Sequence, residues 1–360
     1  MKQKIGVVTG GGDCPGLNAV IRAVAKAATQ QGWETVGILG GYEGLLEPRQ
    51  FRVLDYHALD GLLVRGGTIL GTANRGKFSA KVGHGETRQL PADLIEETKR
   101  GMEALGLSAL ISIGGDGSLS IAQQLHEQGI PIVGVPKTID NDLEGTLMTF
   151  GFDSAVDCAT DALDRLHTTA ESHNRVMVLE VMGRYAGWIA LYAGVAGGAD
   201  VILIPEIPFS YDSVCSKIKT REAQGRKFTL IVVAEGACEK NAGFVTSKAA
   251  EANREAHLGG IGAVVAAEVQ KRSGKETRNC VLGHLQRGGT PTTFDRALCS
   301  MFGALAVELV AARDFGKMVA FTGQQVGAVE ISCAVGRLKT VPPSGSLART
   351  ARALGICLGD

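Results

Sequence analysis

The stretch that decides the fold is Gly134-Val135-Pro136-Lys137-Thr138-Ile139-Asp140-Asn141-Asp142, which overlaps a short apolar run from Ile130 to Val135. A short apolar run bounded by Gly and Pro is typical of a buried strand. The apolar pattern stops at Lys137, and two Asp residues follow it closely. Because α/β sheets bind ligands beyond the carboxyl ends of their strands, we expect Asp140 and Asp142 to abstract a proton or to hold a metal ion.

The same layout, a strand followed by a glycine-rich turn and a helix, recurs earlier in the chain. Residues 5–9 lead into Gly10-Gly11-Gly12-Asp13-Cys14-Pro15-Gly16, and residues 109–113 lead into Gly114-Gly115-Asp116-Gly117-Ser118. Such turns aim backbone N–H groups at phosphate, and one carboxylate beside them suits Mg²⁺ held jointly with phosphate oxygens. The first turn matches neither the P-loop nor the dinucleotide fingerprint. A plain β–α turn there, and an Asx turn in the second, remain alternatives.

The second half of the chain carries cationic and polar side chains near its predicted strands. These residues are Arg175, Arg184, Glu235, Arg278, His284 and Arg287. Arg binds phosphate through two parallel hydrogen bonds, and a carboxylate accepts hydrogen bonds from sugar hydroxyls. Any one of these arginines is more typical of a surface salt bridge. Taken together, they predict a domain for a phosphorylated sugar that faces a phosphoryl-donor domain.

Strands and helices alternate along the chain, which predicts an α/β protein with two doubly wound, mainly parallel sheet domains. We expect residues 1–150 plus about 288–336 to form a nucleotide and Mg²⁺ domain. Residues 151–287 plus about 337–360 are expected to form a sugar-phosphate domain, with the active site in the cleft between the two. A longer helical region is predicted over roughly 248–273, and a strand is predicted over 279–283.

Composition excludes several classes of protein. The 360 residues include 37 Lys and Arg and 37 Asp and Glu, so the net charge is zero, which argues against nucleic-acid binding. The eight Cys form no C-x-x-C pair, which is typical of scattered thiols in a reducing compartment. The amino terminus lacks the features of a leader peptide, and no apolar run is long enough to span a membrane. We therefore expect a cytoplasmic protein with no membrane contact.

Several stretches resemble those of the 6-phosphofructokinase family, occur in family order, and extend from Ile5 to about Gly316. They are the Gly11–Asn18 turn, Gly114-Gly115-Asp116-Gly117-Ser118, Pro136 to Asp142, Glu180-Val181-Met182-Gly183-Arg184 and Gly283-His284-Leu285-Gln286-Arg287-Gly288-Gly289. The resemblance implies a phosphofructokinase-like fold. It also implies transfer of the γ-phosphoryl group of ATP to the 1-hydroxyl of fructose 6-phosphate, with Mg²⁺.

The resemblance also implies a role for each site residue. Asp140 would take the proton from the 1-hydroxyl, Asp116 would bind Mg²⁺, and Asp142 would order the metal or its waters. Thr138 would contact the moving phosphoryl group, and Arg184 would offset charge in the transition state. The residues implied in sugar-phosphate binding are Thr138, Ile139, Asp140, Arg175, Met182, Gly183, Arg184, Glu235, Arg278, His284, Leu285, Gln286 and Arg287. Those implied in nucleotide binding are Gly12, Arg75, Gly115, Asp116, Gly117 and Ser118.

Oligomeric state and regulation also follow from the resemblance. In the family, residues such as Arg175 and Arg278 often reach in from a neighbouring subunit, which implies a homo-oligomer, a tetramer or a dimer. Bacterial relatives bind effectors through basic residues between subunits. Arg22, Lys26, Arg226 and Lys227 are candidates for that role, although Phe228 stands where those relatives have His. Ordinary surface charge explains these four residues equally well.

Two residues bear on the phosphoryl donor. Pyrophosphate-dependent relatives carry Asp where Gly117 stands, and a carboxylate there would repel the α-phosphate of ATP. Gly117 therefore favours ATP. Lys137 points the other way, because pyrophosphate enzymes carry Lys at that position, but some ATP-dependent members combine Gly and Lys. We predict ATP, with a pyrophosphate-dependent enzyme as the alternative.

Two further readings remain open. An NAD kinase or lipid kinase would share the Gly-Gly-Asp-Gly turn but would leave the arginines and residues 134–142 unexplained. A regulatory paralogue would bind nucleotide or sugar phosphate without turnover. Loss of Asp140 or Asp116 would mark such a paralogue, and both residues are present.

Overall fold

The computed structural model describes residues 2–55, 57–73, 76–78, 81–83, 86–87, 89–248 and 257–360. The chain divides into two compact units. Unit 1 comprises Met1–Ser154 and Arg287–Leu338, and unit 2 comprises Ala155–Gln286 and Lys339–Asp360. Both are α/β, so the predicted fold class is confirmed. None of the helices in the described ranges combines the length and hydrophobicity that a membrane crossing requires.

The strands, in chain order, are β1 (Lys4–Thr9), β2 (Glu34–Ile38), β3 (Phe51–Val53), β4 (Lys81–Gly83), β5 (Glu86–Thr87), β6 (Leu107–Gly114), β7 (Ile132–Pro136), β8 (Val176–Val181), β9 (Val201–Leu203), β10 (Thr229–Ala234), β11 (Thr246–Lys248), β12 (His257–Leu258), β13 (Thr277–Val281), β14 (Lys317–Phe321) and β15 (Val326–Glu330).

The α-helices, in chain order, are α1 (Leu17–Gln30), α2 (Ala92–Leu105), α3 (Asp116–Glu127), α4 (Phe152–His173), α5 (Trp188–Ala196), α6 (Tyr211–Ala223), α7 (Ile261–Ser273), α8 (Thr293–Ala312) and α9 (Ser346–Ala353). Short 3-10 helices lie at Gly41–Leu45, His57–Leu59, Leu62–Val64, Gly283–Arg287 and Ile331–Cys333.

Unit 1 is built on a seven-stranded sheet with the strand order β15-β14-β7-β6-β1-β2-β3. The five central strands run parallel, and β15 and β3 pair antiparallel at the two edges. Every residue of β7 is buried, so helices cover both faces of the sheet. This burial explains why the apolar run before Lys137 shows no alternation. Beside the sheet, α1 and α8 cross closely, and a Cβ at Gly303 of α8 would lie 2.5 Å from the Cβ of Ala23.

Unit 2 is built on a four-stranded parallel sheet with the order β13-β8-β10-β9. Its core includes Val178 of β8, Ile231 of β10 and Val265 of α7, all fully buried. Strand β13 lies at one edge of this sheet and exposes most of its side chains. Two short antiparallel pairs lie outside the main sheets: β4–β5 belongs to unit 1, and β11–β12 belongs to unit 2.

Two expectations on secondary structure were wrong, and one helix was missed. Part of the helix predicted over 248–273 lies outside the described residues, at 249–256. In the described part, His257–Leu258 is a strand and the helix begins at Ile261, because Gly259 and Gly260 adopt left-handed conformations directly before it. Strand β13 begins two residues earlier than its apolar pattern indicated, because an exposed edge strand tolerates polar residues. Helix α6 was not predicted, because only four of its residues are buried.

Candidate active site

Unit 1 contains a cleft of about 330 Å³ beyond the carboxyl ends of β1, β6 and β7. This volume lies within the range of small-molecule sites. The cleft is lined by Gly11, Gly12, Asp13, Ala73, Phe78, Gly115, Asp116, Gly117, Ser118, Ile121, Lys137, Thr138, Ile139, Asp140, Asp142 and Arg287. It thus brings together most of the residues predicted for the donor and for catalysis. Arg75 was also predicted here but lies outside the described residues.

The N-terminus of α3 forms one wall of this cleft. Gly115 precedes the helix, Asp116 begins it, and the first intrahelical bond runs from Leu119 N to Gly115 O at 2.9 Å. The backbone N–H groups before Leu119 therefore have no acceptor within the helix, which makes this end suited to phosphate. The close approach needs glycine, because a Cβ at Gly10 would lie 2.3 Å from Oγ of Ser118.

Gly117 lies in the first turn of α3, where the backbone is right-handed helix. This conformation does not require glycine, and Ala would favour a helix more. The residue is half-buried and lines the cleft. The absence of a side chain at position 117 therefore keeps space open beside the helix N-terminus.

An apolar wall on the same cleft was missed by the sequence analysis. It consists of Ala73, Phe78 and Ile121. The Phe78 ring packs against the ring of Tyr42 with centroids 5.4 Å apart. Tyr42 is held in turn by a hydrogen bond from its hydroxyl to Oγ of Ser112 at 2.6 Å. No sequence signal marked this wall, because Phe78 lies outside any periodic element.

The loop that carries Asp140 and Asp142 is anchored by the residue between them. Asn141 is buried and left-handed, with φ at 50°. Its Nδ2 donates to Leu147 O at 3.3 Å, and its Oδ1 accepts from Thr149 N at 3.1 Å. Asn tolerates this conformation better than most residues. Asn141 therefore fixes the loop while its two acidic neighbours line the cleft.

Two threonines close the same loop. The backbone N–H of Asp140 donates to Oγ1 of Thr138 at 3.1 Å. The hydroxyl of Thr149 donates to the carbonyl oxygen of Thr138 at 2.7 Å. The hydroxyl of Thr138 therefore helps to set the backbone position of Asp140.

Lys137 crosses the floor of the cleft. Its Nζ donates to the carbonyl oxygen of Gly12 at 2.6 Å, and the side chain is buried. Burial lowers the pKa of this ammonium, and Arg287 lowers it further, while Asp142 and Asp140 raise it. The lysine thus ties the first glycine turn to the strand that leads to Asp140.

Arg287 lies against the first glycine turn. A Cβ at Gly12 would lie 2.1 Å from Nη1 of Arg287, so the glycine makes room for the guanidinium. The Nε of Arg287 is buried and has no hydrogen-bond partner among the described residues. Arg287 was predicted among the sugar-phosphate residues, but it belongs to unit 1 and lines the cleft that also holds Asp140.

Unit 2 has its own cleft of about 320 Å³ beyond the carboxyl ends of β8, β10 and β13. It is lined by Glu180, Val181, Met182, Glu235, Leu258, Gly259, Gly260, Val281, Gly283 and His284. Three of the predicted sugar-phosphate residues therefore lie together here: Met182, Glu235 and His284. Glu180 was not predicted, and its buried carboxylate accepts from the backbone N–H groups of Gly260 and Gly262 at 3.2 and 2.7 Å. It caps α7 and so shapes one wall of the cleft.

The loop with Gly183 and Arg184 packs tightly on the turn after β10. Gly183 has φ at 135°, and a Cβ at Gly236 would lie 1.9 Å from the carbonyl oxygen of Arg184. The Arg184 guanidinium lies over the ring of Tyr185, 5.2 Å from its centroid. Both glycines are required by geometry, which explains why this stretch is rich in glycine.

Gln286 and Leu285 differ sharply in environment. Gln286 is buried, and its side chain accepts from Met182 N at 3.3 Å and donates to Gly283 O at 3.1 Å. It therefore positions Met182 and the 3-10 helix within unit 2. Leu285 is 68% exposed, which leaves its side chain accessible.

Arg175 and Arg278 do not lie at the strand ends that carry the other predicted sugar-phosphate residues of unit 2. Arg175 directly precedes β8, and Arg278 is the second residue of β13, in register with Met177. Both lie at the amino edge of the parallel sheet, whereas Met182 and His284 follow the carboxyl edge. A strand advances about 3.3 Å per residue, so roughly 20 Å separates these edges within one chain.

One carboxylate joins the two arginines. Oε1 of Glu276 lies 2.8 Å from Nη2 of Arg175 and 2.6 Å from Nη2 of Arg278. The hydrogen bond from Arg175 and the charges of both arginines lower the pKa of Glu276. Glu276 was not predicted as a site residue, because a single acidic residue between a helix and a strand carries no motif.

The basic residues considered for an effector occupy separate places. Arg22 and Lys26 line a groove of about 480 Å³ in unit 1, together with Leu59, Ser300 and Ala304. Arg226 and Lys227 are exposed on unit 2, and Phe228 beside them is buried. A regulatory role for these residues stays a prediction.

Comparison with known proteins identifies the family. The phosphofructokinase family model matches residues 4–310. The ATP-dependent 6-phosphofructokinase of Chloroflexus aurantiacus is 53% identical over 360 residues, which cover 100% of this chain and 98% of the relative. The pyrophosphate–fructose 6-phosphate 1-phosphotransferase of Streptomyces coelicolor is 49% identical over 345 residues, which cover 95% of this chain and 97% of the relative. Relatives named for either donor thus lie at similar identity.

Solved structures agree with this assignment. Phosphofructokinase from Pichia pastoris in the T-state superimposes with a TM-score of 0.81 at 31% identity over 93% of this chain. This chain spans 35% of the length of that yeast chain. The family model covers both glycine turns, the Asp140 loop and the arginine-bearing stretches of unit 2, so the chain belongs to the phosphofructokinase family.

Proposed function

We propose that this protein is an ATP-dependent 6-phosphofructokinase, which transfers the γ-phosphoryl group of ATP to the 1-hydroxyl of fructose 6-phosphate. The observation that carries the proposal is the content of the unit 1 cleft. A helix N-terminus suited to phosphate, the carboxylates of Asp116, Asp140 and Asp142, and an apolar wall all line it. These are the groups that a nucleotide, a metal ion and a hydroxyl to be deprotonated require.

Asp140 acts as the base in this proposal. Phosphoryl transfer needs little covalent help from the protein, so positioning and charge stabilisation dominate. The carboxylate of Asp140 would accept the proton of the 1-hydroxyl as that oxygen attacks the γ-phosphorus. Thr138, whose hydroxyl already binds Asp140 N, would contact the transferred group, and Arg184 would offset its charge.

The donor set in the cleft fits Mg²⁺. This ion is usually bound by one or two carboxylates together with substrate phosphates and waters. Asp116 would hold it, and Asp142 would order its waters. When bound, Mg²⁺ neutralises charge on the phosphate oxygens. Gly12, Gly115 and Ser118 would bind the phosphates through the backbone of their turns.

The favoured donor is ATP. Gly117 leaves space beside the helix N-terminus, where the carboxylate of an Asp would meet the α-phosphate. The wall of Ala73, Phe78 and Ile121 supports the same choice, because an adenine base needs an apolar surface and inorganic pyrophosphate does not.

Pyrophosphate is the second candidate, and Lys137 is the observation that favours it. A buried ammonium beside Gly12 can neutralise a compact, highly charged donor. The Streptomyces coelicolor relative carries a pyrophosphate-dependent name at 49% identity, so overall similarity does not choose between the donors. We rank ATP first because the residue at position 117 can exclude a donor, whereas Lys137 is compatible with both donors.

The sugar phosphate is assigned to unit 2. Met182, Gly183 and Glu235 would surround the sugar, and His284 would bind the 6-phosphate. Arg175 and Arg278 would also bind this phosphate, but they lie at the other edge of the sheet. We therefore infer that they serve the site of a neighbouring subunit, so that the protein works as a homo-oligomer. A tetramer or dimer and a cytoplasmic location stay predictions.

The test is a coupled assay with fructose 6-phosphate, Mg²⁺ and either donor. We expect turnover with ATP, and Asp140→Asn should lower kcat by about 10²- to 10⁴-fold with little change in the KM for the sugar. Asp212→Asn, which changes a 93% exposed carboxylate, is the control and should leave kcat unchanged. Turnover with pyrophosphate alone would replace ATP by the second candidate, and an unchanged kcat in Asp140→Asn would remove the assigned base.

A further inference from the structure

Two helix N-termini of unit 1 meet around one buried carboxylate, that of Asp295. This residue is the third of α8 and is fully buried. Its Oδ2 accepts from the backbone N–H of Ser154 at 2.9 Å and from the Ser154 hydroxyl at 2.6 Å. Ser154 lies in the first turn of α4. Asp295 therefore caps α4 from another helix.

Thr292 completes the network from the other side. Its backbone N–H donates to Oγ of Ser154 at 3.0 Å, and its hydroxyl donates to Oδ2 of Asp153 at 2.6 Å. Thr292 also caps its own helix by accepting from Asp295 N at 3.3 Å. The Ser154 hydroxyl thus both donates and accepts, which fixes the start of α4 relative to the start of α8.

The start of α4 in turn fixes the loop with the proposed base. Ser154 follows Thr149 by five residues, and Thr149 closes the Asp140 loop by binding Thr138 and Asn141. Between them, Phe150 is fully buried and pairs with Lys137 in a parallel bridge. This short segment has little freedom to move without moving the loop.

The first glycine turn meets the same place. The Cys14 thiol donates weakly to Phe150 O at 3.9 Å. A Cβ at Gly16 would lie 2.7 Å from the Phe150 ring and 2.8 Å from Sγ of Cys299 on α8. The first glycine turn, the end of the Asp140 loop and the start of α8 therefore pack together around Asp295.

We propose that Asp295 is a positioning residue for phosphoryl transfer, whose carboxylate acts through Ser154 to hold the Asp140 loop in its working position. This inference rests on the proposed function. Asp295 touches neither the cleft nor any group that would react. Its contribution is to fix the orientation of Asp140, and a small misplacement of a base can lower turnover strongly.

The protonation state of Asp295 should change the strength of its hydrogen bonds to Ser154. Burial raises the pKa of Asp295 to about 6, the hydrogen bonds from Ser154 lower it, and the charge of Asp153 raises it. The other titratable groups that face it are the thiols of Cys14 and Cys299, and burial raises the pKa of both, so they stay neutral. Above this pKa the carboxylate makes charge-assisted hydrogen bonds to Ser154, and below it these bonds become neutral and weaker.

Activity and stability should therefore respond in opposite directions to acid. Turnover should fall as the pH drops through about 6, since Asp295 becomes protonated and its hold on Ser154 weakens. The same protonation should stabilise the folded protein, because a carboxyl with a raised folded-state pKa binds its proton more tightly when folded than when unfolded. If Asp295 had a purely structural role, its protonation would change stability without lowering turnover at acid pH.

The experiment compares the wild type, Asp295→Asn, Ser154→Ala and the double variant between pH 5 and 8. It measures kcat, both KM values and the thermal midpoint. We expect kcat of the wild type to fall below pH 6. Asp295→Asn should have a kcat about tenfold lower at pH 8, no acid limb near 6, and KM values within twofold of wild type. Ser154→Ala should show the same loss, and the double variant should be no slower than Asp295→Asn.

Asp200→Asn is the matched control. Asp200 is a half-buried carboxylate of unit 2, its pKa is also raised by burial, and it accepts from Leu230 N at 2.9 Å. We expect this variant to keep the wild-type kcat and acid limb. Wild-type kcat and acid limb in Asp295→Asn would overturn the inference, as would additive losses in the double variant. Absence of wild-type turnover with ATP would overturn the proposed function and this inference with it.

Discussion

The guanidinium of Arg287 occupies the space in which a side chain at Gly12 would begin. A Cβ at Gly12 would lie 2.1 Å from Nη1 and 3.2 Å from Cζ of Arg287. The backbone of Gly12 is not left-handed, so this arginine is the principal obstacle to a side chain there. Glycine at this position is therefore required by the neighbouring guanidinium group and not by the backbone conformation of the turn.

Gly12→Ala should separate function from stability. The methyl group meets the far end of a flexible side chain, so Arg287 can move away and the thermal midpoint should change little. We expect kcat/KM to fall about tenfold or more, because Arg287 then leaves its place in the cleft. Gly327→Ala, at an open position of the same unit, is the control. If Gly12→Ala lowers activity further in an Arg287→Ala background, the effect does not act through Arg287.

Phe78→Ala should weaken the binding of ATP but not the binding of an analogue that lacks the adenine base. Stacking of a base on an aromatic ring contributes about 1–3 kcal/mol, which predicts a KM for ATP raised by roughly 5- to 150-fold. Inorganic tripolyphosphate carries the phosphates alone, so its inhibition constant against ATP should stay within twofold. Phe51→Ala removes an exposed ring of the same unit and should change neither value. A parallel rise in both constants would show that Phe78 does not face the base.

Substitutions at Gly117 should change two properties: the stability of helix α3 and the preference for ATP over pyrophosphate. Gly117→Ala should stabilise α3 by up to about 1 kcal/mol, measured by chemical unfolding, since Ala favours helix over Gly. Gly117→Asp should lower kcat/KM for ATP far more than for pyrophosphate, because the new carboxylate meets the α-phosphate. Gln123→Asp adds the same charge further along α3 and controls for charge on the helix. Equal losses with both donors would remove Gly117 as a determinant of the donor.

Mixed oligomers should reveal whether Arg278 serves a neighbouring site. Chains with Asp140→Ala and chains with Arg278→Ala should each be nearly inactive, and refolding them together should restore turnover. Some sites would then combine an intact Asp140 from one chain with an intact Arg278 from another. A mixture of Asp140→Ala and Asp116→Ala should stay inactive, because both residues line the same cleft of one chain. No recovery in the first mixture would contradict the shared site.

Most strands and helices were predictable because their signals are local. The buried run before Lys137 was recognisable from the sequence alone, and the residues after β1, β6 and β7 converge because those strands are parallel. The edge strand β13 was misplaced because exposed residues weaken the apolar pattern. As a result, Arg278 was placed just before the strand, whereas it is the second residue of β13.

Residues that act through tertiary contacts carried no sequence signal. Phe78 lies in a segment without periodicity, and its place in the cleft depends on packing against Tyr42. Asp295 sits 141 residues from Ser154 along the chain, and nothing in either stretch indicates that they meet. Glu180 looked like part of a strand motif, but its carboxylate caps α7.

Glu276 has a consequence for how an anion would be recognised at the amino edge of unit 2. A single carboxylate oxygen already bridges Arg175 and Arg278, so the two guanidinium groups are held together at the separation that a shared anion demands. An incoming phosphate would therefore have to displace the carboxylate of Glu276 from the two arginines. The affinity measured there would then report the difference between two anions competing for one pair of cations.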